Sequence, residues 1–372
     1  MQFIFWGSLL FIFYAYFGYP LLLRLISLFS SKTINKADFI PSVTLIIAAH
    51  NEEARIHKKI ENTLSLDYPR EKLQVIIASD ASTDATDSRV LEYKNSGIEL
   101  VRTDERKGKE NAQQHAINRA RGDILVFSDT ATALKPDALR QITANFNDSS
   151  IGCVSSVDQF VDKDGNLSGE GMYVRYEMYL RNLESKINSL VGLSGSFFSA
   201  RKEVCVNWKA NLQSDFNTVL NTIRMGMRGV LDPASIGYYK NIADDRKEYE
   251  RKARTVSRGI NVLMNNLNLL NPLKHGIFSW QLFSHKLCRW LVPLFLITAF
   301  ASNIFLLPHS LIYKVIFVLH AGFYCTALFF KSSSVSWLKL PHYFMTVNKA
   351  ILSAWAQYFR GTRYLYWTPS ER

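Results

Sequence analysis

The sequence contains few cysteines and none of the glycine-rich motifs that cradle phosphate. Four cysteines in 372 residues stand far apart, without a CxxC pair or a Cys/His spacing typical of zinc. Reduced, structural thiols are therefore the expected state, which fits a cytoplasmic domain. Neither a P-loop nor a GxGxxG fingerprint occurs in the sequence. Internal repeats and low-complexity segments are also absent.

Acidic residues are outnumbered by basic ones, 32 against 44, which gives a formal net charge of +12. A charge of this sign suits nucleic acid or an anionic surface as a partner. The basic residues cluster just inside the apolar segments of the chain, as Arg24, Lys32 and Arg289 illustrate. This placement favours anionic membrane lipids over nucleic acid, so no nucleic-acid partner is expected.

The segment Phe3–Leu23 contains no charged residue over 21 positions. As a helix it would be about 31 Å long, enough to cross the hydrocarbon core of a bilayer. No basic region precedes it and aromatic residues run throughout it, so a retained anchor is favoured over a cleaved signal peptide. The basic residues after it place the chain from residue 32 onward in the cytoplasm. We therefore expect a multi-pass protein of the inner (plasma) membrane with a cytoplasmic catalytic domain.

Two further apolar spans lie in the C-terminal third of the chain. Trp290–Leu307 and Leu311–Phe330 are separated by three residues and predict a helical hairpin with both ends in the cytoplasm. Residues 340–359 are apolar with polar residues interspersed. A crossing there would export the arginines of the C-terminal tail, against the positive-inside rule. An interfacial or re-entrant helix is therefore favoured over a third crossing.

Between residues 40 and 150, short apolar runs alternate with helical stretches. This alternation predicts an α/β domain with a mostly parallel sheet whose faces are covered by helices. The predicted strands are Val43–Ala49, Leu73–Ala78, Ile98–Val101 and Ile124–Phe127. The predicted helices are Glu53–Leu66, Asp84–Lys94, Lys109–Ala120 and Lys135–Phe146, followed later in the chain by Met172–Leu190 and Asp245–Leu270.

Acidic and polar residues follow three of the predicted strands. Because the carboxyl ends of parallel strands meet at one edge of a sheet, these loops predict a ligand site. Any single loop of this kind could simply cap the next helix. Three such loops at one edge favour a nucleotide held by its base and ribose, with its diphosphate met by a metal and by cations. The loops are His50–Glu53, Asp80–Asp84 and Asp129–Thr132.

An ordered set of blocks in this chain resembles the family 2 glycosyltransferases, which have the GT-A fold. The resemblance rests on the order of the blocks across nearly the whole chain, including the flanking membrane segments. The blocks are Val43–Glu53, Ala78–Thr86, Lys107–Lys109, Ile124–Asp129, Gly192–Arg201, Ser214–Phe216 and Trp367.

The resemblance implies roles for residues that bind the donor. Ala48 and Glu52 would contact its nucleoside, with Glu52 near the ribose, and Asp80 would accept a hydrogen bond from a base such as uracil. Lys109 would lie near the diphosphate, although a solvated lysine in a first helical turn is an alternative. Asp129 matches the first acid of the family's DxD motif, which binds Mg²⁺ or Mn²⁺ through the donor diphosphate.

Two positions depart from the family pattern. Ala131 stands where the DxD motif has its second acid, so metal use is expected but strict dependence is not. Ser214 replaces the first acid of the family's catalytic ED or DD pair, whose second acid is matched by Asp215. An inverting transfer needs one base for the acceptor hydroxyl, and Asp215 is the candidate. Its alternative role is to cap a helix predicted over Phe216–Met225.

Four further residues are weaker candidates. Arg254 matches the arginine of the Q-x-x-R-W motif of processive relatives and would grip the leaving diphosphate, although Gln and Trp are missing. A basic helix on anionic lipid is its alternative. Tyr176 is a candidate acceptor contact, but aromatic residues at helical spacing more often pack. Gly195 and Ser196 belong to a predicted close-approach turn beside the donor sugar and are also acceptor candidates.

The predicted organisation has five regions, and the predicted activity is transfer of a hexosyl or N-acetylhexosaminyl group with inversion. The donor would be a nucleotide diphosphate sugar such as a UDP-sugar, and the acceptor a lipid-linked saccharide in cell-surface polysaccharide synthesis. A processive polysaccharide synthase and a non-catalytic nucleotide-binding membrane scaffold are the alternatives. The regions are an anchor (1–30), a GT-A domain (40–240), basic amphipathic or interfacial helices (241–287), a transmembrane hairpin (288–331), and an interfacial or re-entrant helix with a basic tail (340–372).

Overall fold

The computed structural model describes residues 1–161, 172–240, 245–329 and 336–361. These residues divide into two compact units. An α/β unit runs from Ile26 to the last strand and also takes in Leu273–Phe278, and a helical unit contains the first 25 residues and most of the chain after Asp245.

Eight strands form one sheet in the order β3-β2-β1-β4-β7-β6-β8-β5. The four strands β3-β2-β1-β4 are mutually parallel, β6 and β8 are also parallel, and the other neighbours are antiparallel. The mostly parallel sheet predicted from the sequence is therefore confirmed. The strands are β1 Val43–Ala49, β2 Leu73–Ser79, β3 Ile98–Arg102, β4 Ile124–Asp129, β5 Ala133–Leu134, β6 Ile151–Val161, β7 Phe197–Arg201 and β8 Arg228–Lys240.

The helices of the α/β unit begin and end close to the predicted positions, and most of them are shorter than predicted.

The helical elements of both units are as follows. Single 3-10 turns occur at Arg70–Lys72, Lys94–Ser96, Asn145–Asn147, Lys202–Cys205 and Leu267–Leu270. In chain order the helices are α1 Gln2–Phe29, α2 Glu53–Leu64, α3 Thr86–Leu91, α4 Lys109–Ile117, α5 Ala138–Ala144, α6 Met172–Ile187, α7 Ser214–Arg224, α8 Asp245–Met264, α9 Pro272–His275, α10 Ile277–Leu306, α11 Leu311–Phe329 and α12 Ser336–Phe359.

Strand β1 is buried over its whole length because both faces of the sheet are covered. On one face, alternate residues of β1 such as Leu45 and Ile47 pack with Ile56 and Ile60 of α2. On the other face, Phe127 of β4 stacks on Phe198 and Trp208, with ring centroids 4.7 and 5.2 Å apart. A strand buried on both faces reads as a continuous apolar run, which is the pattern of parallel sheets.

In the helical unit, α1 packs against α10. Phe11 stacks on Phe295 with ring centroids 3.9 Å apart, and the hydroxyls of Ser8 and Thr298 lie 3.0 Å apart. Close aromatic packing and small polar residues of this kind join helices in a bilayer, where apolar side chains gain little by leaving lipid.

Three helices of the described residues are long and apolar enough to cross a membrane, which indicates a membrane protein. They are Gln2–Phe29, Ile277–Leu306 and Leu311–Phe329, so all three predicted spans are found as helices. The second begins at Ile277, well before the predicted Trp290. Helix α12 is not one of these candidates, and its predicted interfacial placement remains a prediction. It packs against α8, and its Trp355 Nε1–H donates a hydrogen bond to the Trp290 carbonyl oxygen at 2.9 Å.

Candidate functional site

The loops after β1 and β2 interlock at the carboxyl edge of the sheet. His50 Nδ1 lies 2.7 Å from the Asp80 carbonyl oxygen. The Glu53 backbone N–H donates to Asp84 Oδ2 at 3.1 Å, and the Glu52 N–H donates to Thr86 Oγ1 at 2.8 Å. The predicted meeting of these loops at one edge is therefore found. Asp84 Oδ1 also accepts the Thr86 N–H at 3.0 Å, so Asp84 satisfies a backbone donor at the start of α3 from two positions before the helix.

The Asp80 carboxylate organises the loop that leads into α4. Its two oxygens accept the backbone N–H groups of Lys107 and Gly108, both at 2.9 Å. Gly108 has φ +97°, a conformation that a residue with a Cβ rarely adopts, and this turn starts α4 at Lys109. By holding this turn, Asp80 fixes the position of Lys109 at the start of α4. Each carboxylate oxygen has a second acceptor site, so this arrangement is compatible with a further hydrogen bond from a base.

Lys109 joins the end of β4 to the segment that precedes β7. Its Nζ forms an ion pair with Asp129 Oδ1 at the end of β4. The same Nζ donates to the Gly195 carbonyl oxygen at 3.0 Å. Ser196 follows, and its carbonyl accepts the Asp129 backbone N–H at 2.9 Å. The Lys109 side chain is only 9% exposed, so the alternative of a solvated lysine is wrong.

Asp215 lies against the same glycine. A Cβ placed on Gly195 would stand 2.9 Å from Asp215 Oδ2, so the carboxylate is in contact with the bare Cα. Asp215 lies in the first turn of α7, which begins at Ser214, and its Oδ1 accepts the Phe216 N–H at 2.8 Å, so it caps this turn from within the helix rather than from the position before it. A carboxylate in a first turn is stabilised by the positive end of the helix dipole. The structure therefore brings Asp129, Lys109, Gly195 and Asp215 into one continuous set of contacts.

Ala48 and Glu52 lie on the same edge. In the sheet register, Ala48 is flanked by Ala78 on one side and Asp129 on the other. The Glu52 carboxylate is almost fully buried and forms an ion pair of 2.9 Å with Arg55. Desolvation by burial raises the pKa of Glu52, and the neighbouring Asp129 and Asp84 charges raise it further, while Arg55 opposes the shift.

Lys59 is a buried cation that the sequence reasoning missed. Its Nζ donates to Ser128 Oγ at 2.7 Å and to the Thr132 carbonyl at 2.5 Å, so it bridges the two ends of the Asp129 loop. Burial lowers the pKa of Lys59 to about 7, and the Asp129 charge partly opposes this shift. A signal was present, because Lys59 lies on the apolar stripe that Ile56, Ile60 and Thr63 mark on α2.

Two acids near the site were also missed. Glu110 of α4 is buried and its Oε1 accepts the Ser214 backbone N–H at 3.4 Å, which ties α4 to the start of α7. Asp158 on β6 accepts hydrogen bonds from the hydroxyls of Ser194 and Ser196. Neither acid carries a local sequence signal, because both meet partners more than 30 positions away.

Tyr176 and Arg254 are not joined to this set by the contacts described above. Tyr176 lies on α6, which packs against β8 in the α/β unit. Arg254 lies on α8, which belongs to the helical unit. Their predicted roles in acceptor and diphosphate binding remain predictions.

At the end of β4 and in the loop that follows it, the carboxylate available to a divalent cation is that of Asp129. No group of three His, Cys, Asp or Glu side chains suited to a metal occurs among the residues that the structure describes. Ala131 supplies no second acid to the loop. The donor set nevertheless fits Mg²⁺ or Mn²⁺ held jointly with diphosphate oxygens, because such ions often take one or two carboxylates from the protein.

Part of the chain matches a family model, and two curated proteins are similar to it. Residues 44–207 match the model described as Glycosyl transferase family 2. Poly-beta-1,6-N-acetyl-D-glucosamine synthase of Staphylococcus aureus (strain COL) is 26% identical over 197 residues, which cover 47% of this chain and 47% of that protein. Succinoglycan biosynthesis protein ExoO of Rhizobium meliloti (strain 1021) is 30% identical over 105 residues, 28% of this chain and 30% of ExoO. The chain thus spans about half the length, or less, of these curated relatives.

A solved structure agrees over nearly the whole fold. Mannosyltransferase PcManGT from Pyrobaculum calidifontis, in complex with GDP-Man and Mn²⁺, has a TM-score of 0.74 to this chain. The match covers 96% of this chain and 99% of PcManGT at 22% sequence identity. This likeness establishes a GT-A-like fold with apolar helices in the N- and C-terminal regions.

Proposed function

We propose, on the premise that this chain carries a family 2 glycosyltransferase domain with a GT-A-like fold, that it transfers a sugar from a nucleotide diphosphate donor to a membrane-held saccharide. The set of contacts from Asp129 through Lys109 and Gly195 to Asp215 carries this proposal. It joins a carboxylate and a cation suited to a diphosphate with a second carboxylate suited to act as a base.

The reaction needs one base and no enzyme nucleophile if the anomeric configuration inverts. The acceptor hydroxyl oxygen attacks the anomeric carbon from the face opposite the diphosphate, and Asp215 takes the hydroxyl proton. The bond between the anomeric carbon and the diphosphate oxygen breaks, and its electron pair leaves with the nucleoside diphosphate. Gly195 permits this geometry, since it leaves room for the Asp215 carboxylate where any side chain would displace it.

The donor would lie along the carboxyl edge of β1, β2 and β4. Ala48 and Glu52 would contact the nucleoside, and Asp80 the base, with UDP-sugars as the donor class. Lys109 would stabilise the diphosphate as it departs. Asp129 would hold Mg²⁺ or Mn²⁺, and such an ion neutralises charge that develops on a leaving diphosphate. The Mn²⁺ complex of PcManGT supports a metal at a fold of this kind.

The acceptor is proposed to be a lipid-linked saccharide used in cell-surface polysaccharide synthesis. The three candidate membrane spans support an acceptor held at the bilayer, and both curated relatives are named for polysaccharide synthesis. The basic helix α8 is proposed to lie against anionic lipid of the inner (plasma) membrane. The α/β domain is proposed to lie on the cytoplasmic side of that membrane.

The full chain, purified in detergent or nanodiscs, allows a direct test. UDP-glucose, UDP-N-acetylglucosamine and GDP-mannose would be screened by thermal shift, since a bound ligand raises the apparent stability, and then by release of nucleoside diphosphate with a lipid-linked acceptor. We expect one donor both to stabilise the protein and to turn over. Binding of nucleotide without hydrolysis or transfer from any donor would favour a non-catalytic scaffold instead.

A processive synthase is the second candidate, favoured by the similarity to poly-beta-1,6-N-acetyl-D-glucosamine synthase and by Arg254 at the position of a processive motif. Product length separates the two activities. A single added sugar supports the transferase, whereas a long polymer from the purified chain and one donor supports the synthase.

A further inference from the structure

The carboxylate of Asp158 fastens the segment on which Gly195 stands. Asp158 is half-buried on β6, and its Oδ1 accepts a hydrogen bond from Ser194 Oγ at 2.6 Å and another from Ser196 Oγ. The two serine hydroxyls lie 3.0 Å from each other. Hydroxyl bonds to an ionised oxygen are among the stronger hydrogen bonds of proteins. One carboxylate oxygen thus fixes both neighbours of Gly195.

The backbone of the same segment is held to neighbouring strands. The Ser194 N–H donates to Ser155 Oγ at 2.8 Å, and Ser156 Oγ donates to the Phe197 carbonyl at 2.6 Å. The Ser196 carbonyl accepts the Asp129 N–H at 2.9 Å. The segment is therefore tied to β6 on one side and to the end of β4 on the other.

Gly195 is the point at which the two halves of the proposed active site meet. Its carbonyl oxygen accepts Lys109 Nζ at 3.0 Å, and its Cα stands against the Asp215 carboxylate. A displacement of Gly195 by a few tenths of an ångström would change both contacts together. Transfer reactions are sensitive to shifts of this size, because attack requires a close approach of the reacting atoms.

We propose that Asp158 is a positioning residue that sets Gly195, and through it the separation of Lys109 from Asp215. This role rests on the proposed function, in which Lys109 faces the diphosphate and Asp215 is the base. It does not require Asp158 to touch either substrate. A carboxylate serves the purpose because it accepts both hydroxyls at one atom, and an amide oxygen at the same place can do so as well.

Three variants and a control test this role in the full chain. Asp158→Ala removes the acceptor, Asp158→Asn keeps an oxygen that both serines can use, and a Ser194→Ala/Ser196→Ala double variant removes the donors. Asp123→Ala is the matched control, since Asp123 also accepts a serine hydroxyl, that of Ser42 at 2.6 Å, at the opposite end of β4.

We expect Asp158→Ala and the double serine variant to lower kcat roughly tenfold while the donor Kd changes by less than about twofold. Asp158→Asn should restore most of the activity, and Asp123→Ala should match the wild type. Amide hydrogen exchange provides a readout that does not depend on turnover. Peptides that contain Ser194–Phe197 should exchange faster in Asp158→Ala and in the double variant, and at the normal rate in Asp158→Asn and Asp123→Ala.

Unchanged kcat together with unchanged exchange in Asp158→Ala would overturn the role, as would equal loss of activity in the Asn and Ala variants. A loss of donor affinity as large as the loss of kcat would also overturn it, since that result points to a binding contact. Absence of transfer by the wild type would count against the proposed function, and the exchange pattern would then still decide whether Asp158 holds the segment.

Discussion

Lys109 Nζ is bonded to Asp129 Oδ1, so the carboxylate proposed to hold a divalent cation is already neutralised by a lysine. The pair is largely buried, with side-chain exposures of 9% and 21%. A charge pair that is screened little by water is strong, and a cation entering from solvent must compete with it. A nucleoside diphosphate offers Lys109 a second anion and offers a metal additional oxygen ligands. Metal and nucleotide are therefore expected to bind with positive coupling.

Replacing Lys109 with Met should tighten the binding of Mn²⁺ to the nucleotide-free protein by roughly tenfold, about 1.4 kcal/mol, because the competing cation is gone. The same change should weaken the binding of UDP. Electron paramagnetic resonance of free Mn²⁺ and calorimetry of UDP measure the two affinities. Lys107→Met is the matched control, since the Lys107 side chain on the same loop is 62% exposed and pairs with Glu105. Equal Mn²⁺ affinity in wild type and Lys109→Met would contradict the competition.

Asp215→Asn should reduce transfer by at least about 100-fold, because an amide cannot take the acceptor proton. Donor binding should be nearly unchanged, as the proposed role is confined to the acceptor hydroxyl. Turnover and donor affinity would be measured on the same preparation, with Asp123→Asn as the control at the opposite edge of the sheet. Full turnover by Asp215→Asn would remove Asp215 from the role of base.

Gly195→Ala separates stability from activity. The new Cβ would stand 2.9 Å from Asp215 Oδ2, so the carboxylate must turn and disturb the hydrogen bonds that it accepts from Gln213 Nε2 and the Phe216 N–H. We expect a modest fall in the melting temperature from these two bonds and a fall in kcat of roughly tenfold or more, since the base has moved. Gly322→Ala is the control, because a Cβ there meets no atom within 4 Å. A variant with normal kcat would show that the Gly195 contact does not position Asp215.

Lys59 predicts a dependence of stability on pH. Its pKa is about 7 in the folded protein, below the ordinary lysine pKa of 10.5, so between these values the unfolded chain binds more protons. The cost of burying the amine is therefore greatest below pH 7 and declines as the pH rises toward 10.5. Lys59→Met lacks this cost. From about pH 7 to about pH 9 the wild type should gain about 2 kcal/mol relative to the variant, since one pKa unit corresponds to about 1.4 kcal/mol.

Chemical denaturation at several pH values would follow this difference in the free energy of unfolding. A wild type that loses stability relative to Lys59→Met as the pH rises would show that Lys59 is charged and well compensated in the fold. The activity of the variant is a separate readout, because Lys59 bridges Ser128 and Thr132 around Asp129.

Several elements followed directly from local sequence pattern. Strand β1 was predicted with its observed bounds, since a continuous apolar run between turn residues reads as a buried parallel strand. The loops with Glu52, Asp80 and Asp129 were predicted to share an edge because parallel strands end together. The later strands β6, β7 and β8 were not predicted, since their sequences are mixed and their partners lie far away in the chain.

By itself, the sequence determined the apolar spans, the alternation that makes a parallel sheet, and the chemistry available at the sheet edge, because each depends on residues a few positions apart. Only the tertiary structure decided how that chemistry is combined. Lys109 meets Gly195 across 86 positions, and Lys59 reaches Thr132 across 73. The pairing of Lys109 with Asp129, the contact of Gly195 with Asp215, and the burial of Lys59 arise from packing between strands and helices that local periodicity does not encode.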